Sequence, residues 1–312
     1  MQSDQLTALV AIIDNGTFEL AARRLHITPS AVSQRIKALE NEIGQLVIRR
    51  AVPCKPTAAG EVLLRMARQL LLLQDDALAE LTAGAERSGD LPVAVNADSL
   101  ATWLRPLLGV VAEWPDTELR LHVEDQDHSI QLLRSGAVVG AITSDPVAVH
   151  GCSIEFLGSM RYLPVATPAL RSRFAKGRGV DWAVMPAIRF NVKDDLQQRV
   201  LSARGVRTSP PLHQVPSSEG FLAAVRFGLG WGALPTAQLG DDLSTGALVR
   251  LGARDHIDVP LYWQVWRLRS PRITRLTDAI RTSAEVLHRS GVAPRQLPAA
   301  AGGPVVAVGT PR

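Results

Sequence analysis

Two groups of side chains in this chain have the types and spacing to do chemistry. The first is small, polar and cationic: Ser30, Ser33, Gln34 and Lys37, with Arg35 on the flank, then Arg49, Arg50 and Lys55. Steps of three and four put Ser30, Ser33, Gln34 and Lys37 on one face of a helix. Short polar groups on such a face can reach base edges in a DNA major groove, and cations beside them can meet phosphates. Residues 23 to 55 hold seven Lys or Arg against Glu40 and Glu42, so positive charge gathers where that helix lies. A plain amphipathic hairpin with a solvated face is the alternative. Uncharged polar residues beside cations favour DNA.

The second group is acidic. Asp98, Glu124, Asp125, Asp127, Asp145, Asp194 and Glu219 all fall in loops that follow expected strands, together with Ser99, Thr143, Asn191, Ser217 and Ser218. Each carboxylate alone reads as a solvated loop charge, and Ser99, Ser217 and Ser218 read equally well as helix caps. Together the carboxylates describe an anionic cleft that attracts a cation. In open α/β sheets, ligands gather at the carboxyl ends of strands, where helix starts present amide protons.

Positioning the first group takes a small helical unit. A helix over Asp4–Asp14 has Leu6, Leu9, Val10 and Ile13 inward. Thr17 caps a second helix whose apolar face is Phe18, Leu20, Ala21, Ala22 and Leu25. Thr28 caps a third, with Pro29 at its first position, where the missing N–H costs nothing. Val32, Ile36, Leu39 and Ile43 form its buried stripe. Leu46–Arg50 and Lys55–Thr57 read as the two strands of a wing. The winged helix-turn-helix unit spans residues 1–57, with the helix-turn-helix at about 18–37.

A linker helix is expected over residues 58–83, with an apolar stripe that includes Leu63, Leu64, Leu70, Leu71 and Leu78. That is more apolar surface than a small head can cover, so the stripe reads as a dimer seam, with packing on its own chain as the alternative. Residues 84–90 read as a hinge. Beyond them strands and helices alternate, including one helix over Ser99–Glu113 and a strand over Tyr162–Ala166, which implies parallel sheets with helices on both faces. Residues 291–312 are rich in Pro, Ala and Gly and read as a disordered tail.

The runs AARRLHITPSAVSQRIKALENEIG, LVIRR and PTAAG resemble the N-terminal domain of the LysR-type bacterial transcriptional regulators. VNADSLATWL, VED, GAVVGAI and SSEGF narrow the likeness to their lysine- and arginine-responsive ArgP/IciA/LysG subgroup. The resemblance covers about residues 3 to 290 and leaves out the tail. It implies an effector domain of two α/β subdomains built like the periplasmic solute-binding proteins, residues 91–163 plus 264–290 and residues 164–263. It also implies a double-stranded DNA operator, a homodimer or tetramer, RNA polymerase as a partner, and lysine or arginine as co-effector with no further cofactor. Asp98 and Glu124 are the favoured contacts for the cationic end of that effector, with Ser99 and its helix start behind the carboxylate.

Other classes fare worse. The 312 residues, 46% hydrophobic and 21% charged with a net charge of +4, suffice for two or three cores. No run of about 18 apolar residues occurs, and MQSDQLTALV has no charged, then apolar, leader pattern, so a cytoplasmic location is expected. Cys54 and Cys152 are far apart and read as reduced thiols. No Ser–His–acid order, metal-ligand spacing or Gly-rich phosphate loop supports an enzyme. A sequence-tolerant, chromosome-organising or replication-inhibiting DNA protein remains the alternative to a ligand-responsive regulator.

Overall fold

The computed structural model describes residues 1–81, 89–115, 117–124, 126–252 and 255–288, with the side chains of Gln126 and Asp127 left aside. Helices α1 (Ser3–Asn15), α2 (Phe18–Leu25) and α3 (Pro29–Ile43) pack around Leu9, Ile12, Ala21, Val32, Ile36 and Leu39. Thr17 and Thr28 cap α2 and α3 by accepting from the Leu20 and Ala31 amides at 3.1 and 3.2 Å. Two expected core residues are open instead: Leu20 and Ile43 are exposed. Each lies at the rim of its helix's apolar stripe, where the small head has nothing left to lay over it.

The wing pairs β1 (Ile48–Arg49) with β2 (Lys55–Pro56), antiparallel. It is tied to the helices where Glu40 accepts from the Val47 amide at 3.0 Å and where the Cys54 amide donates to the Gly16 carbonyl at 2.7 Å. Helix α4 (Ala58–Leu81) leaves the wing at Gly60, where a Cβ would sit 2.0 Å from the Val47 carbonyl oxygen. Only glycine lets the linker helix start that close to the strand.

Past α4 the chain builds β3 (Gly89–Val95), α5 (Ala97–Ala101), α6 (Arg105–Ala112), β4 (Thr117–Val123), α7 (Gln126–Ser135) and β5 (Gly140–Thr143). Strand β6 (Cys152–Ala166) then crosses into a second subdomain containing α8 (Pro168–Arg173), the hairpin β7 (Ala175–Lys176) and β8 (Gly179–Val180), and β9 (Ala187–Arg189). Next come α9 (Leu196–Ala203), β10 (Leu212–Gln214), α10 (Ser218–Arg226), β11 (Gly232–Pro235), α11 (Thr236–Leu239) and β12 (Val249–Arg250). Strand β13 (Ile257–Trp266) crosses back, and α12 (Pro271–Ser283) closes the first subdomain. The architecture is a winged helix-turn-helix head, a linker helix and a two-subdomain α/β domain.

The large sheet runs β11-β6-β13-β5-β3-β4, with β12 also on β6. Strand β3 is parallel to β4 and β5, whereas β13 is antiparallel to both β5 and β6. The expectation of parallel pairing therefore fails at the crossings. A chain that enters a second subdomain and returns beside its own path must run backwards. Ten register pairs join β6 to β13, from Ile257↔Tyr162 to Trp266↔Cys152. The expected boundaries at 163/164 and 263/264 fall inside these two continuous strands.

Three other expectations shift. The Ser99–Glu113 helix is two, α5 and α6, because the chain turns at Thr102–Leu104 and Arg105-Pro106 starts a new helix. The strand read from Tyr162 begins ten residues earlier, at Cys152. Gly89 and Asp90, read as hinge, already pair with β4. The remainder of that hinge, residues 84–88, lies outside the described residues, as do Asp125 and the tail from 289 onward. Cys54 and Cys152 are buried free thiols in separate cores, and burial pushes the Cys152 thiol up to about 11. No helix among the described residues is long and apolar enough to cross a membrane.

Candidate functional site

The residues expected to face DNA stand on one helical head and its wing. Val32, Ile36 and Leu39 anchor α3 in the core, which turns Thr28, Pro29, Ser30, Gln34 and Lys37 outward and leaves Ser33 half-buried. Thr28 spends its hydroxyl on the cap. Arg35 is engaged within the head: it pairs with Asp4 of α1 at 2.8 Å. On the wing Arg49, Arg50 and Lys55 are exposed, and the Arg50 guanidinium lies 5.1 Å from the Phe18 ring centroid. The arrangement offers polar tips on a helix and cations on a flanking hairpin, which suits a groove and its adjoining phosphates.

The second site is a cavity of about 620 Å³ between the subdomains. Asn96, Asp98, Glu124, Ser129 and Thr143 line it from the first subdomain, and Asn191, Asp194, Asp195, Ser218 and Gln238 from the second. Tyr162, on the crossing strand β6, lies between them. Asp98 is the joint: it accepts from the Tyr162 hydroxyl at 2.9 Å and from the Ser218 hydroxyl at 2.6 Å. Gln238 extends the chain of polar contacts by donating to the Ser218 carbonyl at 2.9 Å.

The cavity is acidic. Asp98, Glu124, Asp194 and Asp195 line it, with Lys193 the cation among the described lining residues. Asp194 takes amide protons from Phe190 and Leu196 at 2.8 and 3.1 Å. Burial nevertheless holds its carboxyl above the usual range, helped by the negative charges of Asp98 and Asp195. The Tyr162 phenol is pushed well up, first by burial and then by Asp98. A positive group placed between these walls relieves the like-charge repulsion and satisfies the carboxylates.

Of the expected effector positions, Asp98, Glu124, Thr143, Asn191 and Ser218 line the cavity. Three do not. Ser99 is fully buried and accepts from the Trp103 indole at 3.0 Å, because α5 begins at Ala97 and takes its cap from Asn96. Ser217 caps α10 by accepting from the Gly220 amide at 3.2 Å, and Glu219 faces outward on the first turn of that helix. Asn191 commits its side-chain oxygen to the Lys193 and Asp194 amides. Missed by sequence reasoning were Asn96, Tyr162, Ser129 and Gln238. Asn96 immediately before a helix was a readable cap signal. Tyr162, in mid-strand, carried none.

Helix α4 shows three faces. Gly60, Leu63 and Leu64 turn to the head, where Leu64 belongs to the core, and Ala67 is buried. Leu72 and Asp76 turn to the effector domain, and Asp76 is paired with Arg272 of α12 at 2.5 Å. The open face is a stripe at steps of four, four, three and eight: Val62 (59% exposed), Met66, Leu70 (37%), Leu73 (38%) and Leu81 (81%). Of the residues expected at a seam, Leu70 and Leu78 are exposed, whereas Leu63, Leu64 and Leu71 are covered wholly or partly within the chain.

Comparisons with known proteins place both parts of the chain in one family. Residues 3–61 match the family model described as bacterial regulatory helix-turn-helix protein, lysR family, and residues 84–285 match the LysR substrate binding domain. The chain is 48% identical over 288 residues to the lysine export transcriptional regulatory protein LysG of Corynebacterium efficiens, covering 91% of this chain and 98% of that one. Among solved structures, ArgP of Mycobacterium tuberculosis superposes with a TM-score of 0.85 at 45% identity, over 93% of this chain and 99% of that one. Full-length LysG of Corynebacterium glutamicum with bound effector Arg superposes with a TM-score of 0.78 at 45% identity, over 91% and 98%.

Proposed function

The chain belongs to the LysR family of bacterial regulators, and from that premise we propose that it is a DNA-binding transcriptional regulator that responds to a basic amino acid, lysine or arginine. Its target genes serve amino-acid export or metabolism; the LysG relative of Corynebacterium efficiens is named for lysine export. The observation that carries the effector reading is the cavity between the subdomains, lined by Asp98, Glu124, Asp194 and Asp195. In this reading the carboxylates hold the cationic end, while Ser144 and Lys193 face the α-carboxylate. The ligand shifts the DNA-binding state only through a different affinity for open and closed clefts.

The open stripe of α4 makes the homodimer, which brings two recognition helices to one operator. A tetramer and contact with RNA polymerase belong to the same reading, as does a cytoplasmic location; no catalytic role is assigned. Calorimetry on the full-length protein tests the effector. Lysine and arginine should bind and norleucine should not. Equal binding of lysine and norleucine would remove the cation argument. Binding of none of them, with operator affinity independent of added lysine, would favour a chromosome-organising protein.

A further inference from the structure

We propose that α7 is the lever that carries the state of the cleft to the DNA-binding head, and that Arg68 is the positioning residue at its far end. The inference rests on the effector reading above. One end of α7 is at the cavity: Glu124, just before the helix, and Ser129, in its second turn, both line it. The other end is on the linker helix. The carbonyl of Ser135, the last residue of α7, accepts from Arg68 Nη1 at 3.3 Å. The next residue, Gly136, has φ +76, and a Cβ there would stand 2.9 Å from the Arg65 Cα. Backbone therefore lies directly on backbone. A ten-residue helix is about 15 Å long, and Leu133 is wholly buried in the core beneath it. It moves as a rod and does not bend.

Arg68 faces two ways. Its second nitrogen, Nη2, pairs with the Asp14 carboxylate at the end of α1. Helix α1 packs on α2 and α3, and its Asp4 pairs with Arg35 of the recognition helix. The route is continuous: cavity wall, α7, Arg68, α1, α3. The effector domain grips α4 elsewhere as well, through Arg272 of α12, which binds Asp76 and the Leu72 carbonyl. No described residue of α12 lines the cavity. Of the two grips, the one at Arg68 is therefore the one that senses the ligand. Packed contacts of this kind shift between discrete arrangements and do not stretch, so a small movement at Glu124 arrives at Arg68 as a made or broken hydrogen bond.

The test is the ratio of operator dissociation constants without and with saturating L-lysine or L-arginine, measured by fluorescence anisotropy on full-length protein. Allosteric ratios are commonly about 5- to 150-fold. Arg68→Met, which removes both contacts, and Asp14→Ala, which removes only the one to the head, should bring the ratio to within about twofold of unity. Both variants should still bind lysine in calorimetry within about threefold of the wild type, since neither residue touches the cavity or the DNA-facing surface. Asp76→Ala, which breaks the side-chain contact at the other grip, should keep the wild-type ratio. A merely structural role for Arg68 would lower stability and leave the ratio alone. If Arg68→Met and Asp14→Ala respond like a responsive wild type, or if Asp76→Ala alone abolishes the response, the lever is wrong while the effector reading stands. A wild type that binds no lysine removes the effector reading and this inference with it.

Discussion

The Ser218 hydroxyl donates to the Asp98 carboxylate at 2.6 Å, and that bond spans the cleft between the two subdomains. The residues are 120 positions apart in the chain. Asp98 also holds the Tyr162 hydroxyl on the crossing strand. One carboxylate thus joins the first subdomain, the second subdomain and the crossing strand, and a cationic ligand has to be accommodated at the same group.

Replacing Asp98 by Asn keeps an acceptor for Tyr162 or Ser218 and removes the charge. A charge-assisted hydrogen bond is worth about 1.5–3 kcal/mol, so lysine affinity should fall by roughly ten- to a hundredfold. Ser218→Ala should cost less than tenfold, because the carboxylate remains. Calorimetry with both variants decides it; undiminished lysine binding by Asp98→Asn would show that the cation sits elsewhere in the cavity.

Effector affinity should fall as the pH drops through the raised pKa of Asp194. Burial, then Asp98 and Asp195, raise the Asp194 carboxyl above its ordinary value in the ligand-free protein. A raised carboxyl pKa means that the folded, empty site favours the protonated form. The stability this group contributes is therefore present below its unfolded pKa and is lost as the pH rises through the raised value. A cation favours the ionised form, so binding expels a proton from any fraction still protonated, and lysine affinity weakens as the pH falls through the raised value. Asp194→Asn should flatten the pH profile. A profile unchanged by that substitution would exonerate Asp194.

Gln34 and Arg50 should separate base reading from phosphate contact. Gln34 projects from α3 and Arg50 from the wing, both exposed. Gln34→Ala should cost operator binding about 1–3 kcal/mol and relax one base position. Arg50→Ala should weaken all sequences alike and reduce the slope of log affinity against log salt by about one contact. Equal losses on operator and random DNA from Gln34→Ala would take Gln34 out of base reading.

The register of the α4 stripe predicts two different failures. Leu73→Asp places a charge on the open face, so sedimentation should show a folded monomer with weakened operator binding. Leu64→Asp buries an unpaired charge in the head, since Leu64 is 1% exposed within one chain. Its thermal unfolding midpoint should fall sharply. A stable dimer from Leu73→Asp would place the seam elsewhere.

The sequence by itself determined the head and the alternation of strands and helices that follows it. The spacing of Val32, Ile36 and Leu39, the caps Thr17 and Thr28, and the cations of the wing are local signals, because a helix and its caps are fixed by neighbours a few residues away. The acidic character of the cleft was also legible, because strand ends in an α/β fold point to a common rim. Only the tertiary structure decided which of those residues meet. Ser99, Ser217 and Ser218 look alike in sequence. Packing turned Ser99 to Trp103, used Ser217 as a cap and brought Ser218 to Asp98. The same holds on α4, where the apolar positions ran nearly all round. Which of them faced the head, the effector domain or the open side was set by Gly60 against Val47 and by Gly136 against Arg65. Those approaches join residues far apart in the chain, and no local periodicity records them.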